Sequence, residues 1–266
     1  MPTRTPDTVD SLVAAVNQLL ELPEGRRHVE SITSHFERLR RDEDPLKRQV
    51  SRFGRRSGAA FYATVGGSRS ERLRIDVRVF GEACGVLTLD ATPTRFFVPK
   101  NHLKLWQGNP HRLEWADPGV RHYLNSVRAT IQAKSREATV ESAFLEIARR
   151  KRGEAKGSLA GYQPVLLAGL PFQFPLPISA RSGVRLTRGS GAAGHMDVVL
   201  RGPGGRLLVV EVKKDGAPDV EHALAQAVAY CAALRFLLLH SKIYYPTLGY
   251  RRTRKLPRMT ATSTCA

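Results

Sequence analysis

Apolar residues recur at Val9, Leu12, Val13, Val16, Leu19 and Leu20 between Asp7 and Leu22. This is the helical period, and it predicts an amphipathic helix stopped by Pro23 and Gly25. Val29, Ile32, Phe36 and Leu39 repeat the period and predict a second helix from about His28 to Arg41. The charged stretch Arg40 to Arg56 then reads as an exposed connector, whose Lys47, Arg48, Arg52, Arg55 and Arg56 are either phosphate contacts or simply solvated. Between Ala59 and Phe97 the period shortens to two, through Phe61, Ala63 and Val65, then Leu73, Ile75, Val77 and Val79, then Val86, Leu87 and Leu89. With glycines between the runs, these predict three or four antiparallel strands.

Asp117 and Pro118 have the chemistry of an N-cap and a first helical residue, opening helical sequence that extends, with a candidate break near Ser135, to about Arg152. A boundary here divides the chain into an N-terminal α+β module, residues 1–116, and a second domain, residues 117–250, with a basic tail at 251–266. After a loop from Gly153 to Gly161, the apolar, Pro-rich stretch Tyr162 to Ile178 suggests an irregular or edge strand. Met196 to Arg201 and Leu207 to Lys214 read as two strands joined by Gly202, Pro203, Gly204 and Gly205, a hairpin composition. Pro218 and Asp219 start a helix to roughly Leu234, after which Phe236 to Leu239 is expected to form the last strand. The tail, with Arg251, Arg252, Arg254, Lys255 and Arg258, looks frayed.

The 266 residues suffice for one large domain or two modest ones. Lys and Arg number 42 against 24 for Asp and Glu, a formal charge of +18 that attracts polyanions, nucleic acid first among them. Cys84, Cys231 and Cys265 are odd in number and widely spaced, which excludes a disulfide framework or a zinc ligand set and fits a reducing cytoplasm. The polar N-terminus lacks an apolar targeting segment, and no run approaches the ~18 apolar residues of a membrane span, so a soluble protein without a membrane partner is expected. Gly189, Gly191 and Gly194 lack the preceding strand and following helix of a dinucleotide site, and no Ser/His/Asp arrangement is visible.

Strand side chains alternate, so Glu211 and Lys213 share one face while Val210 and Val212 take the other. If the turn spans five residues, Gly202 to Arg206, Asp197 falls directly across from Glu211; a four-residue turn would put it one position out of register. Two carboxylates so placed suit Mg²⁺ or Mn²⁺. A solvated surface strand also accommodates Glu and Lys two apart. The run Leu207 to Val210, however, reads as a strand buried on both faces, and ionised groups at its end need a partner or a metal. Gln226 and Tyr230 are four apart on one helical face, either as site residues or as a surface amide and a core aromatic. Glu141 borders the apolar stripe of Val140, Phe144 and Ile147, with Glu146 competing for any role.

Taken in order, Gly194-His195-Met196-Asp197, Glu211-Val212-Lys213 and Gln226-Ala227-Val228-Ala229-Tyr230 resemble the PD-(D/E)XK nuclease superfamily, especially its RecB-like branch. The pattern there is Gly-x-x-Asp, Asp/Glu-x-Lys and Gln-x-x-x-Tyr. The resemblance covers residues from about 137 to 240, with Met196 standing where the family carries Pro. It implies an α/β fold with a restriction-endonuclease-like core, a mixed sheet flanked by helices, following the α+β module. It also implies Mg²⁺- or Mn²⁺-dependent hydrolysis of phosphodiester bonds in DNA. Asp197, Glu211, the carbonyl of Val212 and Glu141 are the expected metal ligands, and Lys213 is expected to hold or deprotonate the attacking water. Gln226 and Tyr230 would orient the substrate strand, while His195 either hydrogen-bonds phosphate or faces a groove. The alternative is an inactive nuclease-like domain kept as a DNA-binding or assembly module, with a protein partner reached through residues 1–116.

Overall fold

The computed structural model describes residues 8–41, 60–64, 74–79, 82–88, 95–106, 113–115, 117–130, 140, 161–167, 170–171, 174–180, 183–186, 194–213, 220–248 and 259–265. Helix α1 (Val9–Glu21) starts at Thr8, whose hydroxyl accepts from Ser11 N at 3.2 Å while Ser11 Oγ accepts from Thr8 N at 3.2 Å. This reciprocal cap satisfies two of the amides that open every helix. Leu12, Val16 and Leu20 of α1 are buried. The first helix stops before Pro23 as expected, but helix α2 (Pro23–Arg41) follows after the single residue Leu22 and so starts well before the expected His28. Pro23 occupies a first helical position, where its missing N–H costs nothing. Gly25 is buried in the elbow, where a Cβ would lie 2.7 Å from Leu20 Cα, so only glycine lets the two helices turn this tightly.

Strands β1 (Ala60–Thr64), β2 (Arg74–Val79), β3 (Glu82–Thr88), β4 (Arg95–Phe97) and β5 (Leu113–Glu114) form an antiparallel meander in chain order. Four of them lie where alternation predicted three or four, and β5, of two residues, is too short to alternate. Phe61 and Ala63 are buried as expected, but so is Tyr62 between them. It packs with Val198, Leu200, Val210 and Val212 of the C-terminal half, and the Arg78 guanidinium sits 4.1 Å over its ring. Helix α3 (Pro118–Thr130) begins where Asp117 Oδ1 accepts from Gly119 N at 2.7 Å, the expected cap. It lies on the meander through Val120, Tyr123, Leu124 and Val127, with Tyr123 OH donating to Cys84 O at 2.6 Å.

The C-terminal half is built of short strands: β6 (Gln163–Pro164), β7 (Leu166–Leu167), β8 (Leu170–Pro171), β9 (Phe174–Leu176), β10 (Ile178–Ser179), β11 (Arg185–Leu186) and β12 (Gly194–Met196). The longer β13 (Val198–Arg201) and β14 (Leu207–Lys213) follow. Prolines at 164, 171 and 175 withhold ladder amides and keep the early strands short. The main sheet has the order β15-β14-β13-β6 and is mixed: β13 pairs antiparallel with β14, and β14 pairs in parallel with β15 (Met259–Cys265). Between β14 and β15 run α4 (Val220–His240) and a single turn, α5 (Tyr244–Thr247). The coarse α/β expectation holds.

Two expectations fail together. Phe236 to Leu239, expected as the last strand, are the final turns of α4, and the last strand instead lies within the tail expected to be frayed. The reason is burial. Ala223, Ala227, Tyr230, Ala233, Leu234, Leu237 and Leu238 are all buried, so α4 is apolar around most of its circumference and its end shows no helical period. The strand Met259–Cys265 is rich in Thr and Ser and alternates weakly, yet it pairs with β14 residue for residue from Leu207↔Met259 to Lys213↔Cys265. By length and composition α4 could cross a membrane, but most of its apolar window is buried in this fold.

The two halves share one core. Leu12, Val16 and Phe36 join Ile75 and Leu87 of the meander and Val209 and Tyr230 of the C-terminal half in a continuous cluster. Phe36 stacks obliquely on Phe174 and Tyr244 at 5.6 and 4.9 Å, and Thr33 Oγ1 shares a 2.8 Å hydrogen bond with Tyr244 OH. Helices from the very start of the chain thus cover elements from its end. Ending the chain after residue 250 removes the parallel partner of β14 and bares its ladder of amides and carbonyls. The truncated protein is expected to lose its cooperative thermal transition by circular dichroism. A melt within a few degrees of the full-length protein would show that β15 contributes no stability.

Candidate active site

The hairpin sets the register on which the site depends. Arg201 pairs with Leu207, so the connection is the five residues Gly202 to Arg206, closed by Gly202 N donating to Arg206 O at 2.8 Å. Gly204 and Gly205 take φ of 66° and 73°, a left-handed backbone that side chains disfavour. Val198 then faces Val210 as the last pair of the ladder; Asp197, the residue before it, lies close enough for its charge to act on Glu211. Asp197 sits at a bend between β12 and β13, and its Oδ2 accepts from Val212 N at 2.9 Å. Gly194, three residues earlier, has a purely steric reason to be glycine: a Cβ there would lie 2.8 Å from the Ile178 carbonyl carbon, so β12 and β10 could not approach.

Glu211 lies on the face of β14 that also carries Leu207 and Val209, under α4, and is 1 % exposed. Its Oε2 accepts from Gln226 Nε2 at 3.1 Å and lies 3.5 Å from Lys213 Nζ. Its Oε1 is buried with no hydrogen-bond partner. Burial, then the adjacent charge of Asp197, push the carboxyl up to about 8, against the opposing pull of Lys213. Lys213 is 24 % exposed, so its ammonium bridges the buried carboxylate and solvent.

Gln226 and Tyr230 are drawn together as their helical spacing implies, with Gln226 Nε2 donating to Tyr230 OH at 3.2 Å. Both are buried, at 4 % and 1 %, and the contact made by the Gln226 amide toward the site is with Glu211. Val212 presents only its backbone here, since its side chain is buried with Val198 and Tyr62 on the opposite face. His195 is half-buried in β12, across from Pro175. Glu141, expected as a further ligand, lies outside the described residues. One neighbour escaped the motif reading. Burial and then the charge of Glu211 push the Cys231 thiol up to about 12, placing that residue within electrostatic reach of the site. Its only sequence signal is that it follows Tyr230 on the helix covering Glu211.

Among the described residues no three His, Cys, Asp or Glu side chains form a closed metal cage. Mg²⁺ does not need one, because it is usually held by one or two carboxylates and completes its octahedron with water and substrate oxygens. Two carboxylates on one sheet face, one with an unpartnered buried oxygen, fit that demand. Compared with family models, with curated proteins and with solved structures, the chain finds no match.

The direction of the Glu211 shift has a sign that can be measured. A carboxyl whose folded pKa exceeds its unfolded value holds a proton in the folded state that the unfolded chain releases, so stability falls as pH rises from the usual carboxylate range toward 8. Metal-free Glu211→Gln, which keeps the shape and loses the charge, is expected to be more stable than the parent by about 4 kcal/mol at pH 8.5 and nearly equal to it below pH 5. Denaturant melts across this range check it, and parallel pH profiles for the two proteins would contradict the buried, proton-holding carboxyl.

Proposed function

We propose that this chain is a Mg²⁺-dependent nuclease that hydrolyses phosphodiester bonds in DNA, with Mn²⁺ able to replace Mg²⁺, and that it works in the cytoplasm. The observation that carries the reading is the meeting of Asp197 and Glu211 across the hairpin, with Glu211 Oε1 buried and unpartnered and Lys213 Nζ 3.5 Å from Oε2. A surface ion pair would not bury a carboxylate and leave half of it unsatisfied, because the desolvation cost of several kcal/mol would go uncompensated. The mixed sheet with α4 packed on it is compatible with the restriction-endonuclease-like core that the three motifs imply.

Asp197 and Glu211 would hold the cation, with Glu141 and the Val212 carbonyl as the further ligands suggested by the resemblance. Bound there, Mg²⁺ would supply Lewis-acid polarisation of the phosphate and ease deprotonation of a water. The chain's own groups do the rest. The Val212 amide fixes the Asp197 carboxylate, and the Gln226 amide, braced against Tyr230, fixes that of Glu211. Lys213, on the same face and partly solvated, is placed to hold the attacking water and to offset negative charge growing on the phosphate. Gln226 and Tyr230 therefore serve the substrate indirectly, by orienting a ligand, while His195 at the strand's edge is left to meet phosphate. The charge of +18 concentrates DNA around the protein without selecting sequence.

Purified protein is expected to nick or degrade plasmid DNA with Mg²⁺ or Mn²⁺ and to stop on addition of EDTA. Asp197→Ala and Lys213→Ala should each slow cleavage by about 10²–10⁴-fold. Undiminished cutting by both variants would remove the assignment. Gln226→Ala should weaken Mn²⁺ binding, read by titration calorimetry, by about 10–100-fold, the usual effect of losing a residue that orients a ligand. Unchanged affinity would show that the amide does not position Glu211.

A further inference from the structure

Helix α3 and the 3-10 turn before it contribute no residue to the candidate active site, and they carry positive charge that the catalytic reading does not use. The six-residue 3-10 turn Lys100–Leu105 exposes Lys100 and Lys104, and α3 exposes Arg121 and Arg128. Neither element contains an acidic residue. In α2, by contrast, Arg26, Arg27, Arg40 and Arg41 share the helix with Glu24, Glu30 and Glu37. Among the described residues, three carboxylates of neighbouring elements face other groups. Asp117 caps Gly119 N, Glu114 lies across the strand pair from Arg95, and Glu82 faces the buried His102 at 3.5 Å.

The turn and the helix are locked together. The Trp106 ring meets Tyr123 edge-on at 5.6 Å and sits 3.1 Å from where a Gly119 Cβ would be. Arg121 and Arg128, seven residues apart, fall on the same side of α3 and are separated by about 10 Å along its axis, close to three phosphate steps of a duplex strand. Both are exposed and lie on the flank of the helix, about 100° around from the centre of the buried stripe of Val120, Tyr123, Leu124 and Val127.

We propose that the exposed side of α3 and the adjoining 3-10 turn form a second, non-catalytic contact surface for nucleic acid, gripping the phosphate backbone of a duplex through Lys100, Lys104, Arg121 and Arg128. The proposal rests on the nuclease reading for its choice of duplex DNA, but the contact itself is metal-independent. A membrane surface would require large apolar side chains beside the cations. Among the described residues the exposed large apolar ones are instead Val9, Leu22, Val220, Leu224 and Leu239, none of them on these elements.

The test uses the full chain in EDTA, a fluorescein-labelled 30-bp duplex of arbitrary sequence, and anisotropy titrations from about 50 to 300 mM salt. Changing Lys100, Lys104, Arg121 and Arg128 together to Glu is expected to lower affinity ~30-fold or more at 100 mM salt and to reduce the slope of log K against log salt by about 3.6, near 0.9 for each of the four lost phosphate contacts. The charge-matched control, Arg26, Arg27, Arg40 and Arg41 changed to Glu, should lose far less. Equal losses in the two variants would reduce the effect to net charge and overturn the surface, as would an unchanged salt slope. Loss of binding to vesicles containing phosphatidylserine with duplex binding intact would overturn it in favour of a lipid contact. Asp197→Ala tested in the same titration separates the two readings: wild-type duplex binding by this variant, with loss in the α3 variant, supports the surface whether or not cleavage occurs. Cleavage by a protein whose α3 variant binds duplex normally would sink the surface and leave the nuclease standing.

Discussion

An ionisable carboxyl placed at the end of a buried strand forces its surroundings to answer for it. Glu211 is reached by the Gln226 amide and the Lys213 ammonium on one oxygen, while the other has no partner. Bringing a carboxylate out of water costs several kcal/mol, and the attraction of one half-exposed lysine only partly offsets this. The proton retained up to about pH 8 is the consequence of that imbalance. Much of the C-terminal architecture can be understood as the scaffold that holds this unfavourable group in place: the hairpin register, the helix laid over it, and the parallel strand beside it.

Support comes from both faces of the sheet. On the Glu211 face, α4 supplies Gln226 and Tyr230 and is itself backed by α1. On the opposite face, Val198, Val210 and Val212, the residues flanking the two carboxylates, pack against Tyr62 of the meander. The Arg78 guanidinium caps that ring and lies 3.7 Å from Asp76. The N-terminal half is therefore the backing of the sheet that carries the candidate site. A strained, partly unsatisfied site needs such rigid neighbours, because stability lost there must be supplied by packing elsewhere.

Local signals served well wherever the chain's own neighbours decide conformation. Asp117 marks a helix start by its side-chain hydrogen bond from Gly119 N. Phe61, Ile75, Val77 and Leu87 mark strands with a solvated or semi-solvated face. Gly202 to Gly205 announced the turn, but its length, four residues or five, was left to the structure, where Arg201 pairs with Leu207. The carboxylate pair, the lysine and the amide were thus legible as candidates, because hairpin register and helical spacing are short-range geometry.

What only the tertiary structure decided is everything that depends on burial from afar. The apolar end of α4 was ambiguous because a helix covered on nearly all sides has no polar face to reveal its period. β15, rich in Thr and Ser, gains its strand identity from the β14 backbone beside it and not from its own pattern. Tyr62 became a core residue because a second sheet covers the face that alternation assigns to solvent. The amide of Gln226 likewise turns inward because Glu211, fifteen residues earlier, is buried beneath its helix. The sequence by itself determined which groups are candidates for chemistry and how neighbouring ones are spaced, since those are properties of a few consecutive residues. Which of them are desolvated, and hence which are energetically charged with a task, was decided by long-range packing.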